Sequence, residues 1–130
     1  MRILLDTQAW LWMQASPDRL SVEAHDLTTD PQSELLLSAA SSWEIAIKYA
    51  LGRLPLPLPP RRYVPDRLES SGVNPLPIAH AHALQVAELP AHHRDPFDRL
   101  LIAQALLEDL TILTSDRSFE SYEVRLLRAS

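Results

Sequence analysis

Short apolar runs alternate along this chain with segments of helical periodicity, a pattern that predicts strands alternating with helices. Two of these runs, VNPLPI and YEVRLL, predict short strands in the second half of the chain. The three strongest runs have the length and apolar content of strands buried on both faces of a sheet. They are RILLD (Arg2 to Asp6), SELLLSA (Ser33 to Ala39) and LTILTSD (Leu110 to Asp116).

The segments between these runs carry helix-start and helix-stop signals. A start around Ser16–Pro17 or Ser21 predicts a helix in SPDRLSVEAHDL, and Gly52 ends the apolar stripe of SSWEIAIKYALG. A further helix is predicted from Pro96 to about Glu108. TQAWLWMQ and AHAHALQVAELP are also predicted to be helical.

The middle of the chain is rich in proline, with five prolines from Pro55 to Pro65 in RLPLPLPPRRYVP. Proline lacks a backbone donor, so we expect an extended connector there, followed by a short helix that RLESSG closes. Strands that alternate with helices imply right-handed crossovers and a mainly parallel sheet with helices on both faces. We see no repeat and no second domain, and we therefore predict a single α/β domain over residues 1–130.

The composition fits such a domain and limits the cellular compartments in which the protein is expected. The chain has 130 residues, 46% of them hydrophobic and 22% charged, which suffices for one core. It contains no cysteine, so disulfides and thiolate metal sites are excluded and a reducing compartment is favoured. Asp6 interrupts the apolar start, and no signal peptide or membrane span is evident. We therefore expect a cytoplasmic protein without a membrane partner.

Four acidic residues occupy positions that a parallel α/β sheet would bring together. Asp6 and Asp116 end strands, Asp98 lies in the first turn of a helix, and Glu44 lies near a helix start. The carboxyl ends of parallel strands and the amino ends of the following helices share one edge, where ligands bind. We therefore expect these four carboxylates to lie near one another.

Each acid also has a purely structural interpretation. Asp6 could cap the helix that begins near Thr7, Glu44 could form a capping box with Ser41, and Asp116 could lie in an Asx turn. Taken together, however, four carboxylates at one edge would repel one another by about 1 to 4 kcal/mol per pair. Protonation or a bound hard cation would offset that repulsion. A site of oxygen ligands alone favours Mg²⁺ or Mn²⁺ over zinc.

Several segments of the chain, in this order, resemble one known family. LLDTQAWLW, SAASSWEIAIKYALGRL, HHRDPFDRLLIAQA and ILTSDRSFESY resemble the PIN-domain ribonucleases, and within them the VapC toxins of bacterial toxin–antitoxin pairs. The resemblance covers nearly the whole chain except LPLPLPPRRYVPDRLESSG, which carries no motif. It implies a single PIN-like domain, and it implies metal-binding, catalytic acids at Asp6, Glu44, Asp98 and Asp116. Asp95 in DPFD is an additional acid, which we interpret as a helix cap or a residue just outside the metal ligands.

The resemblance also implies a function. It implies a Mg²⁺- or Mn²⁺-dependent endoribonuclease, the toxin of a toxin–antitoxin pair, which hydrolyses RNA phosphodiesters at a four-carboxylate metal site. A cognate antitoxin, an RNA substrate and a homodimer follow as expected partners, and the segment AWLWM is a candidate surface for the antitoxin.

The net charge of −5 argues against an RNA partner at first sight. Without the four acids, however, 17 − 4 = 13 acidic residues stand against 12 basic ones, so the remainder is nearly neutral. Seven basic residues could then form a local rim around a metal-loaded pocket. They are Lys48, Arg53, Arg61, Arg62, Arg94, Arg99 and Arg117.

Two alternatives remain open at the level of sequence. The first is another Mg²⁺-dependent phosphohydrolase or a phosphoacceptor signalling domain, but these need a second acid beside the first strand, where this chain has Thr7, Gln8 and Ala9. The second is a non-catalytic PIN-like binding module whose acids only cap helices. His80 and His82 are two residues apart and so face different sides of a helix, which disfavours a histidine metal site.

Overall fold

The strongest apolar runs of the sequence are the central strands of one parallel sheet. The computed structural model describes residues 1–92 and 94–130. Its strands are β1 (Arg2–Leu5), β2 (Glu34–Ser38), β3 (Asn74–Leu76), β4 (Thr111–Thr114) and β5 (Leu126–Arg128). The described strands are ordered β3-β2-β1-β4-β5, and every neighbouring pair is parallel. The predicted α/β class with a mainly parallel sheet is thus confirmed.

A short 3₁₀ segment, Arg117–Ser121, lies between β4 and β5, and α-helices connect the other consecutive strands and cover the sheet. They are α1 (Thr7–Ala15), α2 (Val22–Thr29), α3 (Ala39–Ala50), α4 (Pro60–Ser71), α5 (His80–Gln85) and α6 (Pro96–Glu108). In the described part of the chain, none of them is long and apolar enough to cross a membrane.

The side chains of each central strand alternate between two apolar cores. Leu4 and Ile112 pack with Leu101, Ile102 and other residues of α6 on one face. On the other face, Ile3 and Leu5 pack with Trp10 of α1, Tyr63 of α4 and their neighbours. Because successive strand residues point to opposite faces, the buried residues 3–5 of β1 and 112–113 of β4 are all apolar.

The proline-rich segment differs from its predicted extended form. Helix α4 begins at Pro60, so only the part before it is an extended connector. Pro60 is at the first position of the helix, where the missing N–H is not needed, and this explains why proline starts the helix. Pro65 lies inside the helix, and Gly72 ends it at a φ of 68°. The prediction of no regular structure up to Pro65 was therefore wrong.

The start of α3 also differs from the prediction. The side chain of Ser38 caps the helix by accepting from the backbone N–H of Ala40, so the helix begins two residues before Ser41. Glu44 consequently lies in the second turn and does not form a capping box with Ser41. The capping interpretation of Glu44 is thereby excluded.

Candidate functional site: an acidic cleft at the sheet edge

A cleft of about 410 Å³ opens where the carboxyl ends of β1 and β4 meet the amino ends of α3 and α6. All four predicted acids line it, and we call them the four cleft acids: Asp6, Glu44, Asp98 and Asp116. Among the described residues, Asp95 is a fifth acid in its lining, and Lys48 and Arg53 are the cations. The expected proximity of the four acids is observed, and their role as metal ligands stays a prediction.

Asp6 lies directly after β1 and is buried, with 6% of its surface exposed. Its Oδ1 accepts from the backbone N–H of Ala9 at 2.7 Å, which caps α1, and its Oδ2 accepts from the hydroxyl of Thr114. Burial raises the pKa of Asp6 from its ordinary 3.8 to about 6, the two hydrogen bonds oppose this, and Asp116 and Glu44 add to it by charge repulsion. Asp6 is therefore both a helix cap and a carboxylate whose ionised form is disfavoured by burial.

Glu44 is held by partners on α1 and on its own helix. Its Oε1 accepts from the hydroxyl of Thr7 at 2.7 Å, and its Oε2 lies 2.7 Å from the ammonium nitrogen of Lys48. The hydroxyl of Ser41 lies 2.8 Å from the Thr7 oxygen and donates to it, since the single proton of Thr7 is used by Glu44. These contacts aim the carboxylate of Glu44 into the cleft beside Asp6.

Asp116 follows β4 and is coupled to Asp6 through Thr114. The backbone N–H of Asp116 donates to the Thr114 hydroxyl oxygen at 3.0 Å, while the Thr114 hydroxyl donates to Asp6. The Oδ1 of Asp116 accepts from both the backbone N–H and the hydroxyl of Ser118, at 2.9 and 2.7 Å. The predicted Asx-type turn is thus observed, and it leaves Asp116 at the exposed mouth of the cleft.

The two aspartates at the start of α6 have different tasks. Asp95 caps the helix, because its Oδ1 accepts from the backbone N–H of Phe97 at 2.8 Å and of Asp98 at 3.3 Å. Asp98 lies in the first turn, where the helix dipole favours a negative charge. The cap predicted for Asp95 is confirmed, and its carboxylate lies beside that of Asp98 in the lining of the cleft.

The basic rim is smaller than the sequence predicted. Lys48 and Arg53 line the cleft, but the guanidinium of Arg99 is engaged elsewhere. It donates to the carbonyls of Pro90 and Val86 and to the hydroxyl of Tyr122, at 2.9, 3.0 and 3.1 Å. Arg99 therefore ties the start of α6 to the segments before it and after β4, and it is a structural residue.

His82, a buried histidine of α5, is also structural. His82 is 4% exposed, and its Nδ1 accepts from the backbone N–H of Ala79 at 2.9 Å. The Nε2 consequently carries the proton and donates to Glu108 at 2.9 Å. Both ring nitrogens of His82 are therefore engaged in hydrogen bonds within the fold.

The donor chemistry of the acidic cleft fits a hard divalent cation. All of its candidate ligands are carboxylate oxygens, and burial raises the pKa of Asp6, so a bound cation would favour the ionised form of this carboxylate. Within residues 1–92 and 94–130, no three acidic or histidine side chains already form a group able to hold an ion. Glu44 and Asp116 are instead turned toward Lys48 and Ser118, so these side chains would exchange partners on binding a cation.

Sequence reasoning did not predict the hydroxyl contacts of the cleft acids. Thr7 and Thr114 donate to two of these acids and Ser41 contacts Thr7, yet none of the three carries a distinct signal of that role in the sequence. The order Asp6–Thr7 and the pattern Thr114–x–Asp116 are compatible with hydrogen bonding, but only the crossing of α1 over α3 gives Thr7 its partner. Such contacts depend on the fold and not on local spacing.

Comparison with known proteins identifies relatives over most of the chain. A family model described as PIN domain matches residues 3–124. Ribonuclease VapC22 of Mycobacterium tuberculosis is 30% identical over 123 residues, which cover 92% of this chain and 91% of that protein. Ribonuclease VapC16 of the same organism is 52% identical over 60 residues, but these cover 46% of this chain and only 43% of VapC16.

Solved structures share the fold at low sequence identity. A chain of VapBC2 from Rickettsia felis, crystallised with a DNA fragment from its promoter, has a TM-score of 0.71 at 13% identity, with both chains fully covered. A chain of a toxin–antitoxin complex from Klebsiella pneumoniae has a TM-score of 0.56 at 16% identity, covering 90% of this chain and 89% of that one. At these identities the likeness concerns the fold alone.

Proposed function

Because the chain belongs to the PIN-domain family, we propose that it is a metal-dependent endoribonuclease and the toxin of a toxin–antitoxin pair. The observation that carries the proposal is the convergence of acids from four separate segments on one cleft. The proposed metal-binding and catalytic residues are the four cleft acids, Asp6, Glu44, Asp98 and Asp116. Two relatives with the name ribonuclease support the reaction class.

The four cleft acids would hold Mg²⁺ or Mn²⁺, since oxygen ligands suit these hard cations. When bound, such a cation stabilises charge on phosphodiester oxygens and lowers the pKa of a water that acts as nucleophile. Asp6 is kept in place by Thr114 and by the start of α1, and Glu44 by Thr7, so both carboxylates are preoriented. Asp98 and Asp116 line the same cleft and complete the proposed set of ligands.

The test is cleavage of a labelled single-stranded RNA by the purified chain in Mg²⁺, in Mn²⁺ and in EDTA. Single amide substitutions of the four cleft acids should each lower the cleavage rate at least about a hundredfold, because a neutral amide is a poor ligand for a hard cation. Asp18→Asn is the matched control, since Asp18 is exposed and is not part of the cleft lining. Cleavage that persists in EDTA or in the Asp6→Asn variant would contradict the proposal.

A chain that binds no cation and cleaves no RNA would instead be a non-catalytic PIN-like binding module. Three acids do cap helical segments, as that alternative requires. Glu44, however, caps nothing and is held in the cleft by Thr7 and Lys48, and this observation favours the nuclease.

A cytoplasmic ribonuclease needs an inhibitor, and a cognate antitoxin is the proposed partner. The fold is shared with a chain of a toxin–antitoxin complex, which supports this partner. An arginine of the antitoxin could pair with the carboxylates of the cleft and compete with the cation for the same oxygens. Of the proposed docking segment AWLWM, Trp10 is fully buried, so only Leu11, Trp12 and Met13 remain partly exposed for docking.

The partner is tested by expressing the chain alone and together with the short reading frame next to it. Growth arrest by the chain alone, relief by the neighbour and copurification of the pair are the expected results. Size-exclusion chromatography with light scattering tests the proposed homodimer in the same preparations. A chain that is harmless, monomeric and partnerless would contradict the toxin–antitoxin assignment even if it bound a cation.

A further inference from the structure

One basic side chain of the acidic cleft, that of Lys48, already contacts a proposed metal ligand. Lys48 follows Glu44 by one helical turn, and its ammonium nitrogen lies 2.7 Å from Glu44 Oε2. The side chain of Glu44 is 11% exposed and that of Lys48 is 52% exposed. The carboxylate is thus fixed while the lysine reaches it from the solvent side of α3.

This contact occupies an oxygen that a cation would need. The other oxygen of Glu44 accepts from Thr7, so Lys48 holds the oxygen that remains. A carboxylate oxygen has two lone pairs, so the contact with Lys48 does not by itself block a cation, but a divalent cation on the same oxygen would lie beside the ammonium group and repel it. We therefore expect a cation bound by Glu44 to displace Lys48.

The released ammonium group would remain inside the cleft. Its four-carbon stem is flexible, and Lys48 lines the cleft together with Arg53. Five acids in the same lining repel a phosphodiester, which is an anion. A cationic side chain beside them would offset part of that repulsion and attract the phosphodiester. Lysine binds phosphate as a mobile point charge and needs no fixed geometry to do so.

We propose that Lys48 is a phosphate-binding residue of the cleft, which pairs with Glu44 in the metal-free chain and moves to the RNA backbone when a cation takes its place. The proposal rests on the proposed function, because that function supplies RNA as the substrate. It assigns Lys48 two successive partners, and the exchange makes RNA binding depend on prior binding of the cation.

The first experiment measures the competition without RNA. Mn²⁺ is titrated calorimetrically into metal-free wild type, Lys48→Met and Arg53→Met. The Arg53 variant is the matched control, since it removes one positive charge from the same cleft but leaves the contact between Lys48 and Glu44 intact. We expect Lys48→Met to bind Mn²⁺ about threefold to fivefold more tightly than wild type, as a half-exposed ion pair allows. Equal gains in the two variants would show that only general charge matters and would overturn the proposal.

The second experiment measures the release. Binding of a labelled 20-nucleotide RNA is followed by fluorescence anisotropy in EDTA and in Ca²⁺, with a gel to verify that the RNA stays intact. In EDTA, where Lys48 is held by Glu44, Lys48→Met should show the same slope of log K against log salt as wild type, because Lys48 makes no phosphate contact there. In Ca²⁺ the slope of log K against log salt should be shallower for Lys48→Met than for wild type by about 0.7. This is the change in slope expected when one contact to a single-stranded phosphate is lost. The same slope for both proteins in Ca²⁺ would contradict the phosphate contact.

The two experiments separate this proposal from the proposed function. A wild-type chain that binds Mn²⁺ but cleaves no RNA would contradict the nuclease assignment, while the calorimetric comparison would still decide the competition. Conversely, an active nuclease whose Lys48→Met variant shows neither change would make Lys48 an ordinary surface ion pair. Because Lys48 is half-exposed, the variant is expected to fold, and its thermal unfolding is recorded as a check.

Discussion

The chain without metal should become more stable when Asp6 is replaced by asparagine. Asp6 is almost fully buried, and burial together with Asp116 and Glu44 raises its pKa from 3.8 to about 6. In the unfolded chain the same carboxylate is ionised at neutral pH at no such cost. Asp6→Asn removes the buried charge while keeping a polar side chain of nearly the same size.

The magnitude follows from the difference between the two pKa values of Asp6. At 1.36 kcal/mol for each pH unit, the change from 3.8 to about 6 corresponds to about 3 kcal/mol. Above pH 6 the carboxylate is ionised in both states, so wild type bears the whole cost. As the pH falls from 6 to 3.8 the folded state takes up the proton first, and about half of the cost remains at pH 5. Below 3.8 both states are protonated and the cost is gone.

The assay is urea unfolding of wild type and Asp6→Asn in EDTA between pH 8 and pH 4. Asparagine keeps one carbonyl oxygen, so the loss of a hydrogen bond subtracts about 1 kcal/mol from the gain at every pH. The difference in unfolding free energy between the two proteins should therefore shrink by about 2.4 kcal/mol from pH 8 to pH 4, since a small part of the cost remains at pH 4. Asp18→Asn should show a change of less than about 0.5 kcal/mol. A pH-independent difference for Asp6→Asn would refute the reasoning, as would stabilisation of the variant by added Mg²⁺ equal to that of wild type.

Two further predictions concern α6. Asp95→Asn should lower the unfolding free energy by less than about 1 kcal/mol and spare most Mn²⁺ binding, since asparagine caps helices well. Asp98→Asn, in contrast, should weaken Mn²⁺ binding measured by calorimetry. Equal loss of Mn²⁺ binding in the two variants would show that the division between cap and ligand is wrong. Arg99→Met should lower the unfolding free energy in urea by about 2 to 4 kcal/mol, because three carbonyl and hydroxyl partners lose a charged donor. The exposed Arg62→Met is its control, and similar losses in the two variants would contradict the structural role of Arg99.

The sheet was predictable from the sequence because its strands are buried on both faces. Runs such as RILLD and LTILTSD show no alternation of apolar and polar residues, as expected for strands covered on both faces. Their alternation with helical segments along the chain implies parallel pairing with crossover helices. The position of the acids followed from the same reasoning, since a residue that ends a central parallel strand must lie at the ligand-binding edge. The proximity of Asp6 and Asp116 could therefore be predicted from topology alone, and it results from the pairing of β1 with β4.

Other features depended on contacts between segments that are distant in sequence. The start of α4 at Pro60 was missed because proline at a first helical position resembles proline in a connector, and packing of Tyr63 and Val64 decides between them. The start of α3 was misplaced because Ser38 and Ser41 are equally good caps in isolation. Burial of the end of β2 selects Ser38, and that choice moves Glu44 from a capping position into the cleft.

Capping and ligand binding are not alternatives in this cleft, because each function supports the other. Like charges at one edge are costly, but Asp6, Asp95 and Asp116 each accept from backbone N–H groups at the start of a helical segment. Those donors and the helix dipoles offset part of the repulsion and help to fix the three carboxylates. Glu44 differs from these three, since it caps nothing and is contacted by Thr7 and Lys48. Its counter-ion is a half-exposed side chain that can move away, and this is why the exchange of partners is expected at Glu44 and not at Asp6.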